Sequence, residues 1–228
     1  FMNPLAASMV GNYLRGVDRV MPMADGVAIQ QHDCHYGRMT EILEFKGVPV
    51  YKVGVPADNV VGISQQYYRH ELREFRDFLE KVVGHPLDEK AVHECYAKTN
   101  KINELVRKIG ELRKKDNSPI TFSDFIRLNH YTLRVDYDTS IDALTKIYEE
   151  LKDAPGAHPE GAPRILIMGR AVAEGDYVVP SLIEAAGGAI VCDFLDEAIR
   201  PYNVTLATEG DYVDAYASAM TAAGYNEG

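Results

Sequence analysis

The chain alternates short aliphatic or β-branched runs with longer stretches in which apolar residues recur every three or four positions. After Asp25-Gly26, the run Val27-Ala28-Ile29 predicts a buried strand. Gln30 to Cys34 is polar and predicts a turn. Tyr36 to Phe45 carries Met39, Ile42 and Leu43 at helical spacing, with Gly47 as its stop. Val48 to Val55 predicts a second strand, ended by Pro56. Strand, helix and strand joined by short connections make a parallel βαβ unit.

Helical periodicity then dominates. From Tyr68, the residues Leu72, Phe75, Leu79 and Val82 form one stripe, broken at Gly84-His85-Pro86. Leu87 to Lys115 predicts a second long helix with Ile102, Leu105, Ile109 and Leu112 on its apolar face. Its other face carries Lys98, Lys101, Arg107, Lys108, Arg113, Lys114 and Lys115, which reads as a solvated surface. Asn117-Ser118-Pro119 is a turn, and Thr121 and Ser123 are candidate caps of a helix through Tyr131. Ser140 to Leu151 is a further amphipathic helix. Pro and Gly punctuate residues 154–163, which read as a linker. A second βαβ pattern follows: strand Arg164 to Gly169, loop Ala171 to Asp176, helix Val178 to Ala186, Gly187-Gly188, and strand Ala189 to Phe194. Tyr212 to Ala223 is helical again.

The expected fold class is therefore α/β, with Rossmann-like parallel-sheet domains and a helical segment between them. The expected division is a partial first domain at 1–60, helices at 61–153, the linker at 154–163 and the start of a second domain at 164–228. Two strands make only the beginning of a parallel sheet, so further sequence is expected to follow, and the chain reads as a fragment.

A chain of 228 residues suffices for one large domain or two small ones. Its net charge of -10 repels phosphate backbones and argues against a nucleic-acid partner. A small anionic ligand stays compatible, because helix N-termini bind phosphate locally. There is no run of about 18 apolar residues for a membrane span. Phe1 to Val10 lack the basic start and apolar centre of a signal peptide, so the cytoplasm is the expected compartment. Cys34, Cys95 and Cys192 are few and far apart, which argues against a disulfide framework and a self-contained zinc site.

Cys34 is the most informative position. It stands where a strand feeds a helix, and ligands of open parallel sheets bind at the carboxyl ends of strands. The free peptide N–H groups of a helix start favour the thiolate that binds metal. His32, Asp33 and His35 flank it as candidate supporting groups. A buried structural cysteine and a metal-free polar turn are the competing readings. Cys95, mid-helix, and Cys192, inside a strand, both read as core. Gly169-Arg170-Ala171 with Gly175-Asp176 resembles a phosphate-type loop after a strand, although it is neither a dinucleotide fingerprint nor a P-loop. No nucleophile elbow, zinc-protease motif or calcium loop is present, and no catalytic residue is named from pattern alone.

Three segments in order carry a resemblance. Residues 25–56 (DGVAIQQHDCHYGRMTEILEFKGVPVYKVGVP), residues 96–114 with Asn100 and Arg113, and residues 163–202 with Gly169, Gly175-Asp176, Leu182-Ile183-Glu184, Gly187-Gly188, Asp193 and Arg200 are similar to successive segments of the 2-hydroxyacyl-CoA dehydratase and benzoyl-CoA reductase superfamily. The resemblance implies an anaerobic acyl-CoA enzyme, either a 2-hydroxyacyl-CoA dehydratase or an aryl-CoA reductase. It further implies a [4Fe-4S] or larger cluster on each subunit, a paralogous partner subunit, and an ATP-dependent iron–sulfur activator or other low-potential donor. The injected electron would convert the thioester into a ketyl radical. Under this resemblance Cys34 is a cluster ligand, and Gly169, Arg170, Gly175 and Asp176 line the substrate cleft. His35 stands where the family usually has Asp, and Asp196 where a cysteine is frequent. These departures bear on cluster type and on three further readings: an electron-relay subunit, a non-catalytic paralogous scaffold, and a double-cubane-type reductase of small molecules.

Overall fold

The computed structural model describes residues 2–31, 34–56, 62–169, 171–195 and 198–223. It is an α/β structure containing two separate pairs of parallel strands. The chain forms two compact units: residues 1–92 with 209–228, and residues 93–208.

The first unit opens with helix α1 (Pro4–Leu14), which the apolar pattern did not single out. Its start is well specified: Pro4 occupies the first turn, and the Asn3 side chain accepts the Ala6 N–H at 2.8 Å. Strand β1 (Val27–Gln31), helix α2 (Cys34–Phe45) and strand β2 (Val50–Gly54) make the first βαβ unit, with Val27 opposite Val50 and Gln31 opposite Gly54. Gly47 stops α2 as expected, at φ +80°. The Val48 N–H reaches the Leu43 carbonyl and the Gly47 N–H that of Glu44, so the last carbonyls of α2 are satisfied by the turn itself. Ala6, Val10, Ile29, Met39 and Leu43 form the small core between α1, α2 and β1.

Helix α3 (Ile63–Val83) packs on β2 through Tyr51, whose ring lies 5.4 Å from Phe75 and 5.3 Å from Phe78. The stripe Leu72, Phe75, Leu79 and Val82 is half-buried, and Tyr68 is the fully covered aromatic of the helix. Helix α8 (Tyr212–Ala223) lies along α3. Arg73 reaches Asp214 at 2.9 Å, Arg69 reaches the same carboxylate at 3.3 Å, and Gln65 donates to the Thr221 hydroxyl at 3.1 Å.

Helix α4 (Glu89–Leu112) begins at the boundary and runs into the second unit. Helices α5 (Phe122–Thr132) and α6 (Tyr137–Leu151) follow, capped by Thr121 and Asp136. Strand β3 (Arg164–Met168), helix α7 (Val178–Ala185) and strand β4 (Ala189–Phe194) form the second parallel βαβ unit. The apolar face read from α4 is buried as expected, with Ile109 at 0% exposure, and joins Phe122, Phe125, Ile126, Leu144 and Ile190 in the larger core. The basic face of α4 is a solvated surface with internal pairing: Lys98 with Asp138, Lys101 and Lys108 with Glu104, and Lys114 with Glu111. Arg113 is the exception and turns inward. Within residues 154–163, Asn117 accepts the His158 N–H at 3.1 Å and donates to the His158 carbonyl at 2.9 Å, so this Pro/Gly-rich stretch is stitched onto the α4–α5 turn.

Among the described residues, no helix is long and apolar enough to cross a membrane.

Candidate functional site

The carboxyl end of the first strand pair is built from three short pieces. Gln31 ends β1, Gly54 ends β2 directly opposite it, and Cys34 is the first residue of α2. Cys34 thus opens the helix, one step inside the turn expected from sequence. Its thiol is free and exposed. The first turn of α2 carries no acidic side chain. Its peptide N–H groups, which lack partners within the helix, therefore leave a positive end beside the sulfur. One turn on, Arg38 pairs with Glu41 at 2.7 Å. Glu41 holds the guanidinium above its ordinary value, and the nearby Cys34 adds a smaller push in the same direction. Gly37 leaves room for Gln31, whose amide oxygen would lie 3.3 Å from a Cβ at that position. His35 is half-buried on the first turn of α2. His32 and Asp33 lie outside the described residues.

Glu71 and Tyr67 of α3 reach this same end. The Glu71 carboxylate accepts the Gly54 N–H at 2.9 Å and hydrogen-bonds the Tyr67 hydroxyl. Desolvation and, behind it, the Glu71 charge push the Tyr67 phenol above its ordinary value.

The carboxyl end of the second strand pair holds the loop singled out for a phosphate-like pattern. The Gly169 N–H donates to the Phe194 carbonyl at 3.3 Å. Gly175 takes φ +91°, and the Asp176 N–H closes a turn on Ala173 at 2.9 Å. Arg170 lies outside the described residues, as does Asp196. The turn is fastened by α5 and the residues just after it: Arg127 lies over the Tyr177 ring at 4.7 Å, buried His130 meets the Tyr177 hydroxyl at 2.8 Å, and Arg134, beyond the helix end, pairs with Glu174. Sequence reasoning passed over His130. The signal that could have found it is the i, i+3 spacing of Arg127 and His130 on one face of α5.

Several residues that carry the family resemblance act as anchors within the second unit. Asn100 donates to the Leu206 carbonyl at 2.7 Å and accepts the Leu206 N–H at 2.8 Å, as a strand partner would. Arg113 and Asp193 form a buried ion pair at 2.6 Å, with the guanidinium stacked between Phe122 and Phe125. Glu184 of α7 accepts the Phe122 and Ser123 N–H groups at the start of α5. Gly188 has no space for a side chain, since a Cβ would sit 2.6 Å from Ile165.

Cys95 and Cys192, expected in the core, are both exposed. Cys95 precedes the buried stripe of α4, which begins at Ile102. Cys192 shares an exposed sheet face with Leu166, Met168 and Phe194. Strand periodicity puts alternate residues on opposite faces, and this face is the outer one. Among the described residues, no three His, Cys, Asp or Glu side chains gather into a group that could hold a metal ion.

No curated protein matches the chain. The profile of the 2-hydroxyglutaryl-CoA dehydratase D-component family matches residues 1–226, and the chain belongs to that family.

Proposed function

We propose that this chain is the iron–sulfur subunit of an anaerobic enzyme that processes acyl-CoA thioesters by low-potential one-electron chemistry. Dehydration of a 2-hydroxyacyl-CoA is the first reading and reduction of an aryl-CoA ring the second. The observation that carries the proposal is Cys34, a free exposed thiol at the first position of α2 and the carboxyl end of β1, in a chain of the dehydratase D-component family. Its donor chemistry fits one ligand of a [4Fe-4S] or larger cluster, since soft thiolates stabilise iron–sulfur cores. When bound, such a cluster supplies a low-potential electron and, at an open coordination position, a Lewis acid for the substrate oxygen.

The chain's own residues hold and frame this site. Cys34 donates its sulfur, and the first-turn N–H groups of α2 offset negative charge there. His35, with His32 and Asp33, forms the surroundings that orient the ligand. Gly169, Arg170, Gly175 and Asp176 are assigned to contact the acyl-CoA substrate. The proposed partners are a paralogous subunit and an ATP-dependent iron–sulfur activator, with the complex in the cytoplasm. His35 at the position where the family usually has Asp favours, as a second reading, an electron-relay or scaffold subunit.

The test is iron and acid-labile sulfide content, with an electron paramagnetic resonance spectrum, on protein purified without oxygen. Iron and sulfide in cluster proportion, with a signal on reduction, support the proposal. Well-folded anaerobic protein without iron sinks the cluster role of Cys34 and leaves the scaffold reading.

A further inference from the structure

We propose that Glu71 is a positioning residue: its carboxylate, held between the Gly54 N–H and the Tyr67 hydroxyl, fixes the carboxyl end of the β1–β2 pair that presents Cys34. This rests on the reading of Cys34 as a ligand.

The contacts converge on one residue. Glu71 bonds β2 twice: its side chain takes the Gly54 N–H at 2.9 Å, and its main-chain carbonyl accepts the Tyr51 hydroxyl at 3.0 Å. Tyr51 is the second residue of β2 and Gly54 its last, so Glu71 holds α3 against the strand near both of its ends. A side chain at Gly54 would have to displace both the Glu71 carboxylate and the Tyr67 hydroxyl. A Cβ there would lie 2.6 Å from the Glu71 carboxylate and would collide with the Tyr67 hydroxyl. Gly54 carries no positive φ, so what glycine contributes here is the close approach of these two groups and not a special backbone conformation. Burial, followed by the charge of Glu71, pushes Tyr51 up to about 12.

Gly54 is opposite Gln31, and Cys34 opens the next helix. A ligand sulfur works only when its backbone is held to within about 0.5 Å, and strand ends fray unless tied. Glu71 adds a tie at this strand end, beyond the pairing of Gly54 with Gln31, through its hydrogen bond to the Gly54 N–H.

The experiment is hydrogen–deuterium exchange of the full chain, read by mass spectrometry, combined with iron loss to a chelator. Glu71→Ala should speed exchange in peptides covering residues 27–38 and 50–56 by about tenfold, the scale of losing a hydrogen bond to a charged acceptor. It should also speed iron loss by about tenfold, as removal of a group supporting a metal ligand does. Glu71→Gln should restore most of both, because its amide oxygen still accepts from Gly54. Tyr67→Phe, a milder change, should give a smaller effect of the same sign. Exchange across residues 93–208 serves as the internal control for folding. Wild-type exchange at 27–38 in Glu71→Ala overturns the inference. Iron-free wild-type protein sinks the cluster reading instead, and exchange alone then decides the role of Glu71.

Discussion

The two βαβ units share a topology and differ in what their carboxyl ends hold. In β1–α2–β2, the core is five buried residues, and the end of the strands presents an exposed thiol beside a helix start. In β3–α7–β4, the core is much larger, a buried ion pair ties β4 to α4, and a histidine–tyrosine contact fastens the loop after β3. The same local geometry is thus used once to expose a thiol and once to anchor a scaffold. A strand–helix junction in a parallel pair marks where chemistry can occur, and the packing around it decides whether chemistry is free to occur.

Substitution of Cys34 should have the largest effect on this contrast. Cys34→Ser should lose most of the bound iron while leaving the circular-dichroism spectrum unchanged; retained iron and activity would remove the chemical distinction between the two ends. Next comes the buried pair of the second unit. Arg113→Met strands the Asp193 carboxylate, which is fully covered, and should cost about 3–5 kcal/mol in denaturant unfolding. Arg113→Met combined with Asp193→Leu should recover much of that loss, because two apolar groups no longer leave a buried charge. A small cost for the single change would mean that the anchor is dispensable. In the first unit, Leu43→Ala should cost about 2–5 kcal/mol, toward the lower end if the small core can relax around the gap.

The smallest effect concerns the α3–α8 contact. The backbone N–H groups of Asp214 and Val213, with Arg73, hold the Asp211 carboxyl below its ordinary value. A depressed carboxyl contributes stability above its unfolded value and loses it as pH falls through the folded one. Exchange protection of α8 should therefore weaken as pH drops below the usual carboxylate range, with little change in residues 93–208. Raised salt should weaken α8 slightly as well, since the Arg69 and Arg73 pairs are partly exposed. Insensitivity of α8 to both conditions would show that apolar packing alone holds it.

The parallel units, the buried face of α4 and the cap at Thr121 were legible in the sequence because each follows from local periodicity or a short-range hydrogen bond. Helix α1 was missed: its apolar residues are partly exposed, as at Leu5 and Leu14, and blur the amphipathic stripe. Cys95 and Cys192 were misjudged for a related reason. Position within a helix or strand gives a face, but only tertiary packing says whether that face is covered. Arg113 was counted with a solvated basic surface, since nothing local reveals a partner 80 residues away. Glu71 was equally invisible, because its role depends on a strand end brought to it by packing. The place of Cys34 at a helix start was legible because the strand–helix junction is local.

The discontinuity of the first unit has a consequence for how the protein is made. Helix α8, which covers part of α3, is encoded after the whole of residues 93–208. On the ribosome the second unit can therefore close while the first still waits for its final helix. During that interval the α3 surface around Tyr68 is bare, and the nascent chain is most exposed to chaperones and to proteases there.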